Sequence, residues 1–297
     1  MPEKSHARKA RPAIGGQLMT KSDAAKAWSE AQKNAQAIFA IVETGLLPES
    51  ARLQFIRAEP SRRPLMVQPE FSELRNYGPW LVDVSHMEFE AFLAHEHFTG
   101  CTAMASWIRT DCPADKLAAH LSDALLAKNE AGEVLMIRSY APEVVPMLHA
   151  RDDLSWHAWL FGPLKEWWVP AEEDQWQCLK GLNLEKPGRY EPIFLDGKLW
   201  TDMEIDPLPY SLTTELEKEA PEVFASTCHS ARLKQVKEAL DAGRSEGLTD
   251  AEDVTLFASL QLMDREFPAN WPMWEKAKER AIGEKLPLGV VMREFSE

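Results

Sequence analysis

The segment that most constrains the fold of this chain is residues 111–142, DCPADKLAAHLSDALLAKNEAGEVLMIRSYAP. Pro113 suits the first turn of a helix, where the missing N–H costs nothing. Apolar residues then recur at three- and four-residue steps on one helix face, namely Leu117, Leu121, Ala124 and Leu125. Gly132 supplies the stop, and residues 134–137 are apolar without alternation, as in a strand covered on both faces. We therefore predict a helix, a turn and an inner strand of an α/β sheet.

Strand and helix patterns also alternate before this segment. Residues 80–85 and 102–108 have the apolar content of strands, and residues 86–98 between them carry a helical stripe. Residues 80–140 therefore read as strand, helix, strand, helix, strand. This alternation predicts the α/β class, with a mixed or partly parallel sheet flanked by helices.

The composition of the chain divides it into three parts. Residues 1–20 are rich in Lys, Arg, Ser and Pro with little to bury, which predicts a disordered tail. Residues 21–208 contain Val- and Trp-rich runs and are assigned to the α/β domain. Residues 209–297 change to a Leu/Ala/Glu periodicity that is interrupted at Gly243 and Gly247, which predicts a smaller helical C-terminal lobe.

Charge and cysteine content exclude several classes of function. The chain has 33 Lys and Arg against 47 Asp and Glu, a net charge of −14, so we expect no binding to nucleic acid or to anionic membranes and a preference for basic partners. No run approaches the roughly 20 apolar residues of a membrane helix, and the start lacks the apolar core of a secretory signal. Four scattered cysteines without a CxxC motif indicate a reduced, cytoplasmic protein.

No catalytic or metal-binding constellation is evident in the sequence. The candidate ligands His95, His97, Cys101 and Cys112 fit no zinc spacing, and two histidines two residues apart would splay to different sides of a helix. The DVSH segment at residues 83–86 has the residue types of a triad, but neighbours in sequence do not form one. No phosphate-binding loop is present. We therefore expect no catalytic residue, no cofactor and no metal.

Tryptophan is the most unusual component, with 11 residues in the chain. Trp167 and Trp168 are adjacent, so on a strand they point to opposite faces of the sheet. Two interpretations stay open: both rings are buried in a sheet that is covered on both faces, or one of them is an exposed anchor of the kind that dominates protein interfaces. Trp159, Trp167 and Trp168 are the candidate partner-binding residues.

Three segments resemble a known family. GPWLVDVS (78–85), SWIRTDCPADKLAAHLSDALLAKNEAGEVLMIRSYAPEVVPML (106–148) and LFGPLKEWWVP (160–170) resemble the bacterial type VI secretion effector chaperone family, also called the adaptor (Tap or TEC) family. Its members have a strand that ends Arg-Phe-Tyr-Asp-Pro, where this chain has Arg138-Ser139-Tyr140-Ala141-Pro142. Residues 37–43 stand in place of a family strand that usually ends in Asp. Because the family Asp is expected to cap the next helix, Ala141 requires a different solution.

The resemblance implies a cytosolic, non-enzymatic protein that binds a toxic effector and helps to load it onto the VgrG-like secretion spike protein. Two alternatives belong to other classes: an enzyme whose site is assembled from dispersed residues, and an immunity-type protein that neutralises its toxin. A pocket with convergent polar groups and strongly shifted pKa values would favour the enzyme. A broad apolar surface patch would favour the adaptor.

Overall fold

The computed structural model describes residues 16–57, 62–94, 104–171, 175–185, 188–203, 206–226 and 229–295. The chain forms two compact units, residues 1–204 and 205–297, whereas the sequence placed the division between residues 208 and 209. Residues 1–15 of the expected tail lie outside the described residues. Its last residues are not disordered, because Gln17–Thr20 forms a strand that pairs with residues 175–178.

The first unit is built on a seven-stranded sheet. In the described part of the chain the strands are β1 Gln17–Thr20, β2 Ala37–Glu43, β3 Arg62–Pro64, β4 Pro79–Asp83, β5 Met104–Thr110, β6 Leu126–Asn129, β7 Val134–Met136, β8 Leu164–Pro170, β9 Gln175–Lys180 and β10 Ile193–Leu195. The main sheet has the order β1-β9-β8-β5-β2-β4-β3, and each neighbouring pair is antiparallel. A small sheet has the order β10-β6-β7, with β10 parallel and β7 antiparallel to β6.

Helices flank the main sheet on both faces and form the second unit. Their bounds are α1 Lys21–Lys33, α2 Glu49–Arg57, α3 Phe89–Ala94, α4 Ala114–Asp123, α5 Val145–His149, α6 Trp156–Leu160, α7 Gly197–Met203, α8 Leu208–Glu219, α9 His229–Ser245, α10 Ala251–Met263, α11 Trp274–Glu284 and α12 Leu288–Glu294. The predicted α/β class with flanking helices is confirmed. The mixed pairing lies in the small sheet, while the main sheet is antiparallel.

The main sheet has a hydrophobic core on each face because side chains alternate along its strands. Core 1 combines one set of strand residues with residues of α4, α5 and α6, including Phe39, Ile41, Ile108, Trp167, Leu121, Leu148, Trp156 and Leu160. Core 2 combines the intervening strand residues with residues of α1, α2 and α3, including Ile38, Ala40, Trp107, Trp168, Trp28, Phe55 and Phe92. The α/β unit is therefore a three-layer structure.

The segment 111–142 folds differently from its prediction in its second half. The helix is present as α4 and ends at Asp123, where Ala124 N donates to His120 O. The next residues form a hairpin of β6 and β7, and Gly132 lies in its turn with a φ of +81° instead of ending the helix. The expected inner strand is β7, which lies at the edge of the small sheet with Val134 59% exposed. The prediction of a strand buried on both faces is therefore wrong.

The second unit contains helices and no strand in its described residues. Its core is separate and includes Leu212, Val236, Leu240, Val254, Phe257, Trp274 and Leu288. Asp250 caps α10 by accepting hydrogen bonds from Glu252 N and Asp253 N. Within the described residues of both units, no helix has the length and apolar character that a membrane crossing requires.

Candidate partner-binding surface

The three tryptophans that the sequence selected for partner binding lie in the interior. Trp159, Trp167 and Trp168 are 5%, 1% and 2% exposed. The prediction that Trp167 and Trp168 point to opposite faces is confirmed, since the first lies in core 1 and the second in core 2. Of the two open interpretations, the one with both rings buried holds, because the sheet is covered on both faces.

Polar and aromatic contacts explain why these rings are buried. Trp167 Nε1 donates to Ser106 Oγ at 2.8 Å, and Trp168 Nε1 donates to Glu166 Oε2 at 3.0 Å. The ring of Trp168 stacks on Trp107, with ring centroids 5.0 Å apart. Satisfied indole N–H groups in packed surroundings are typical of core aromatics. These contacts therefore favour structural roles.

The small sheet presents an apolar face to solvent instead. Its register aligns Phe194 with Lys128 and Lys128 with Val134, and the neighbouring pair is Leu126 with Met136. Since alternate residues share a face, these five side chains form one surface, which we call the outward face. Val134 is 59% exposed, Met136 43% and Phe194 41%.

The opposite face of the small sheet packs against core 1 and so attaches the sheet to the first unit. Ala127, Ile193 and Leu195 are buried in core 1, and Leu135 packs partly against it. The small sheet is thus anchored through one face only. A sheet covered on one side usually carries polar residues on the other, so the exposed apolar side chains make the outward face the candidate interaction site.

The outer edge of β7 is a second feature of this surface. Asn129 N donates to Glu133 O at 3.1 Å and Ile137 N donates to Leu125 O at 2.8 Å, which fixes the hydrogen-bonded pairs of the hairpin. In an antiparallel ladder the intervening residues turn their main-chain groups outward. The N–H and C=O groups of Val134 and Met136 therefore point away from β6, and no strand pairs with this edge in the described part of the chain.

The hairpin turn is closed by local hydrogen bonds. Asn129 Oδ1 accepts from Glu133 N at 2.9 Å, and Asn129 Nδ2 donates to Glu133 Oε2 at 2.7 Å. Gly132 N donates to Asn129 O at 2.9 Å. Glu130 Oε1 accepts from Gly197 N at 2.9 Å and so joins the turn to the start of α7. These bonds fix the register that creates the outward face.

Glu43, Arg138 and Tyr140 connect the small sheet to the main sheet. Arg138 Nη2 lies 2.6 Å from Glu43 Oε2, and Tyr140 Oη donates to the same carboxylate at 2.9 Å. Burial, and then the charge of Glu43, raise the pKa of Tyr140 above its usual range. Arg138 and Tyr140 match the Arg and Tyr of the strand ending in the family that the sequence resembles, and Glu43 ends β2. These hydrogen bonds therefore attach the segment after β7 to the end of β2.

Helix α5, which follows Ala141, begins without a side-chain cap. The Asp that the resembling family has at the position of Ala141 was expected to supply one. Ala141 is fully buried, and its carbonyl accepts hydrogen bonds from Val144 N at 2.9 Å and Val145 N at 3.0 Å. No side chain caps α5 at Val144. In this chain a main-chain turn leads into the helix, where the resemblance led us to expect a carboxylate.

Arg151 fixes the third strand of the small sheet. Its guanidinium makes two hydrogen bonds to Asp196, at 2.8 and 2.7 Å, and two more to Asp153, at 2.8 and 3.0 Å. Asp196 follows β10 directly and also accepts from Leu199 N at 2.8 Å, near the start of α7. The hydrogen bonds from Arg151 and Leu199 N lower the pKa of Asp196 to about 2. This ion-pair cluster therefore positions β10 and its exposed Phe194.

A comparison with protein families found a match to a segment that includes part of this surface. A family model described as "Domain of unknown function (DUF4123)" matches residues 38–158. No curated protein and no solved structure matches the chain. The DUF4123 match includes Glu43, Arg138, Tyr140 and the whole β6–β7 hairpin, and it stops before β8 and β10. Most of the outward face therefore lies in the matched segment, and Phe194 lies outside it.

A cleft on core 1's side of the first unit is lined by several titratable side chains. Its volume is about 610 Å³, and its lining includes His149, Asp152, Ser155 and His157. His149 Nε2 donates to Lys180 O at 3.0 Å, and His157 Nε2 donates to His149 O at 3.1 Å. Burial, and then the proximity of His149, lower the pKa of His157. Ser155 Oγ bonds a carboxylate of Glu191, so the observed contacts tie both imidazoles to the main chain and pair neither with a nucleophile.

The candidate metal ligands are only partly covered by the structure. His95, His97 and Cys101 lie outside the described residues, while Cys112 is half-buried with a free thiol. Burial raises the pKa of the Cys112 thiol. Among the described residues, no group of three or more His, Cys, Asp and Glu side chains could hold a metal ion. The absence of a metal and of a cofactor stays a prediction, which elemental analysis of protein purified without a chelator would test.

Proposed function

We propose that this protein is a cytoplasmic, non-enzymatic type VI secretion adaptor, which binds a cognate toxic effector and helps to load it onto the VgrG-like spike protein. The observation that carries the proposal is the exposed apolar outward face. It lies largely in the DUF4123 segment, and this family is associated with type VI secretion effectors. The sequence resemblance over residues 78–170 supports the same function independently of the surface.

The physical character of the outward face favours a protein partner. It is the face of a sheet and not an enclosed cavity, whereas small-molecule sites are concave and bury most of the ligand. Exposed apolar side chains that lie together on one face match the apolar centre of a protein interface. The net charge of −14 further favours a protein partner over a nucleic acid.

Gene deletion in the native host tests the proposed function. Deletion should block delivery of one cognate toxin into target cells, while secretion of the tube protein shows that the machine still fires. Loss of all firing would make the protein a core component of the machine. Unchanged delivery of every toxin would remove the adaptor function, and self-intoxication of the deletion strain would indicate an immunity protein.

Complementation of the deletion strain tests the surface itself. Phe194→Thr replaces an exposed ring of the outward face with a strand-forming polar residue, and it should fail to restore delivery. Leu53→Gln is the matched control, since Leu53 lies on α2 with 42% exposure against 41% for Phe194. Restoration by both variants would show that the effector binds elsewhere.

A further inference from the structure

Val134 and Met136 of β7 carry both unpaired main-chain groups and exposed apolar side chains of the outward face. Val134 and Met136 each turn an N–H and a C=O to the free edge, and their side chains are 59% and 43% exposed. We propose that the partner binds here as an extended segment, which adds a fourth strand to the small sheet at β7. This inference rests on the proposed function, because it specifies how the partner engages the same surface.

The spacing of the free groups suits strand addition. Val134 and Met136 are two residues apart, which is the repeat of hydrogen-bonding residues along one side of an antiparallel strand. Peptides that add a strand to a sheet edge obtain affinity from such main-chain bonds and specificity from alternate side chains. An added strand would place every second side chain beside Val134 and Met136. It would also cover Leu135, which is only partly buried at the margin of core 1.

Charge on the outward face defines the chemistry of the added segment further. Lys128 is exposed in the central strand, between Phe194 and Val134 in the register, and it has no ion pair among the described residues. Strands lie about 4.8 Å apart, so an added strand would lie about 10 Å from β6, a gap that a lysine and an acidic side chain can bridge together. The partner segment is therefore extended, apolar at alternate positions and acidic at one position facing Lys128.

The same charge argument separates this partner from a second copy of the chain. Pairing two β7 edges would supply no carboxylate from either outward face for Lys128, since Lys128 is the charged member of that face. It would also bring together two chains that each carry a net charge of −14. A dimer that depends on β7 is therefore an outcome that would contradict the proposal.

A main-chain variant distinguishes strand addition from simple apolar contact. Val134→Pro removes an N–H that points away from β6, so the hydrogen bonds of the hairpin remain. Val134→Thr keeps that N–H and the branched shape while adding a hydroxyl. The probe is a display library of random linear peptides selected on the purified wild-type protein. Selected peptides are then synthesised and titrated against wild-type protein, both Val134 variants and Lys128→Glu.

Strand addition predicts a specific pattern of affinities. Selected peptides should alternate apolar residues and carry an Asp or Glu, and Val134→Pro should weaken them about ten-fold or more, a loss of about 1.4 kcal/mol. Val134→Thr should weaken their binding less. Lys128→Glu should weaken the binding of peptides that carry the acidic residue. Absence of enriched peptides, or equal binding to Val134→Pro, would overturn the proposal. So would a wild-type dimer in sedimentation that Val134→Pro dissociates.

Hydrogen exchange on the wild-type protein keeps the test valid if Val134→Pro fails to fold. The amides of Val134 and Met136 should exchange more slowly when a selected peptide is bound, while the amide of Leu135, which bonds within the hairpin, should change less. Unchanged exchange at both edge residues would refute strand addition. None of these measurements uses the effector. Strand addition can therefore be refuted while toxin delivery still depends on the gene, and it can be supported even if delivery does not depend on the gene.

Discussion

Trp167 and Trp168 are consecutive in β8, yet their rings lie in different cores on opposite faces of the main sheet. Each is nearly fully buried, and each indole N–H has a hydrogen-bond acceptor. The pair therefore joins the two hydrophobic layers of the first unit through one short piece of backbone. Both residues stabilise the fold, and neither presents its ring to solvent.

Truncation of either ring should destabilise the protein to a similar extent. We expect Trp167→Ala and Trp168→Ala each to lower the free energy of unfolding by about 3–5 kcal/mol, because each leaves a large cavity in a packed core. Trp200→Ala is the control, since Trp200 is 47% exposed and should cost far less. Urea denaturation of the three variants provides the measurement. A wild-type midpoint for either β8 variant would show that its ring is not part of the core.

The sequence predicted local elements better than their arrangement. The helix at residues 114–123 and the opposite orientation of Trp167 and Trp168 followed from short-range periodicity. The strand pairing did not, because β2 lies between β4 and β5 and is antiparallel to both. The strand–helix–strand run of β4, α3 and β5 thus crosses over β2 without placing two parallel strands side by side. The alternation of strand and helix patterns in residues 80–140 cannot show that β2, from earlier in the sequence, lies between β4 and β5.

The surface was missed for a related reason. A run such as VLM predicts burial on both faces, but periodicity cannot tell whether another part of the same chain or a partner covers the second face. The sequence likewise could not predict that Glu43 contacts Arg138 and Tyr140, because these residues lie 95 and 97 positions away from it. The resemblance did draw attention to Arg138 and Tyr140. Only the fold shows that they attach the hairpin to β2.

Removal of the Tyr140 hydroxyl should weaken the attachment of the small sheet. The hydroxyl donates to the Glu43 carboxylate in a buried position, and hydrogen bonds to charged groups contribute about 1.5–3 kcal/mol. We expect Tyr140→Phe to lower the free energy of unfolding by an amount in this range, measured by urea denaturation. Tyr77→Phe serves as the control because Tyr77 is 51% exposed. Equal stability of the two variants would mean that the Glu43 contact does not contribute.

Polar substitution on the outward face should separate binding from folding. We expect Phe194→Thr and Met136→Thr to weaken binding of the purified cognate effector about ten-fold or more, equivalent to about 1.4 kcal/mol, because interface anchors carry much of the binding energy. Their unfolding midpoints should stay near that of the wild type, since both side chains are already exposed. Calorimetric titration and urea denaturation of the same preparations measure the two effects. Leu53→Gln should alter neither, and a loss of stability that matches the loss of affinity would contradict a surface role.

Acid should release the ion-pair cluster that holds β10. The pKa of Asp196 is about 2 in the folded protein against an ordinary value of 3.8, because its carboxylate accepts hydrogen bonds from Arg151 and Leu199 N. The unfolded state therefore binds more protons in this range, and the stabilisation from Asp196 is present above about pH 4 and decreases as the pH falls towards 2. Asp196→Asn should lower the stability at neutral pH and reduce the loss of stability between pH 4 and pH 2, measured by urea denaturation across that range. An unchanged acid dependence in Asp196→Asn would show that the cluster does not stabilise β10.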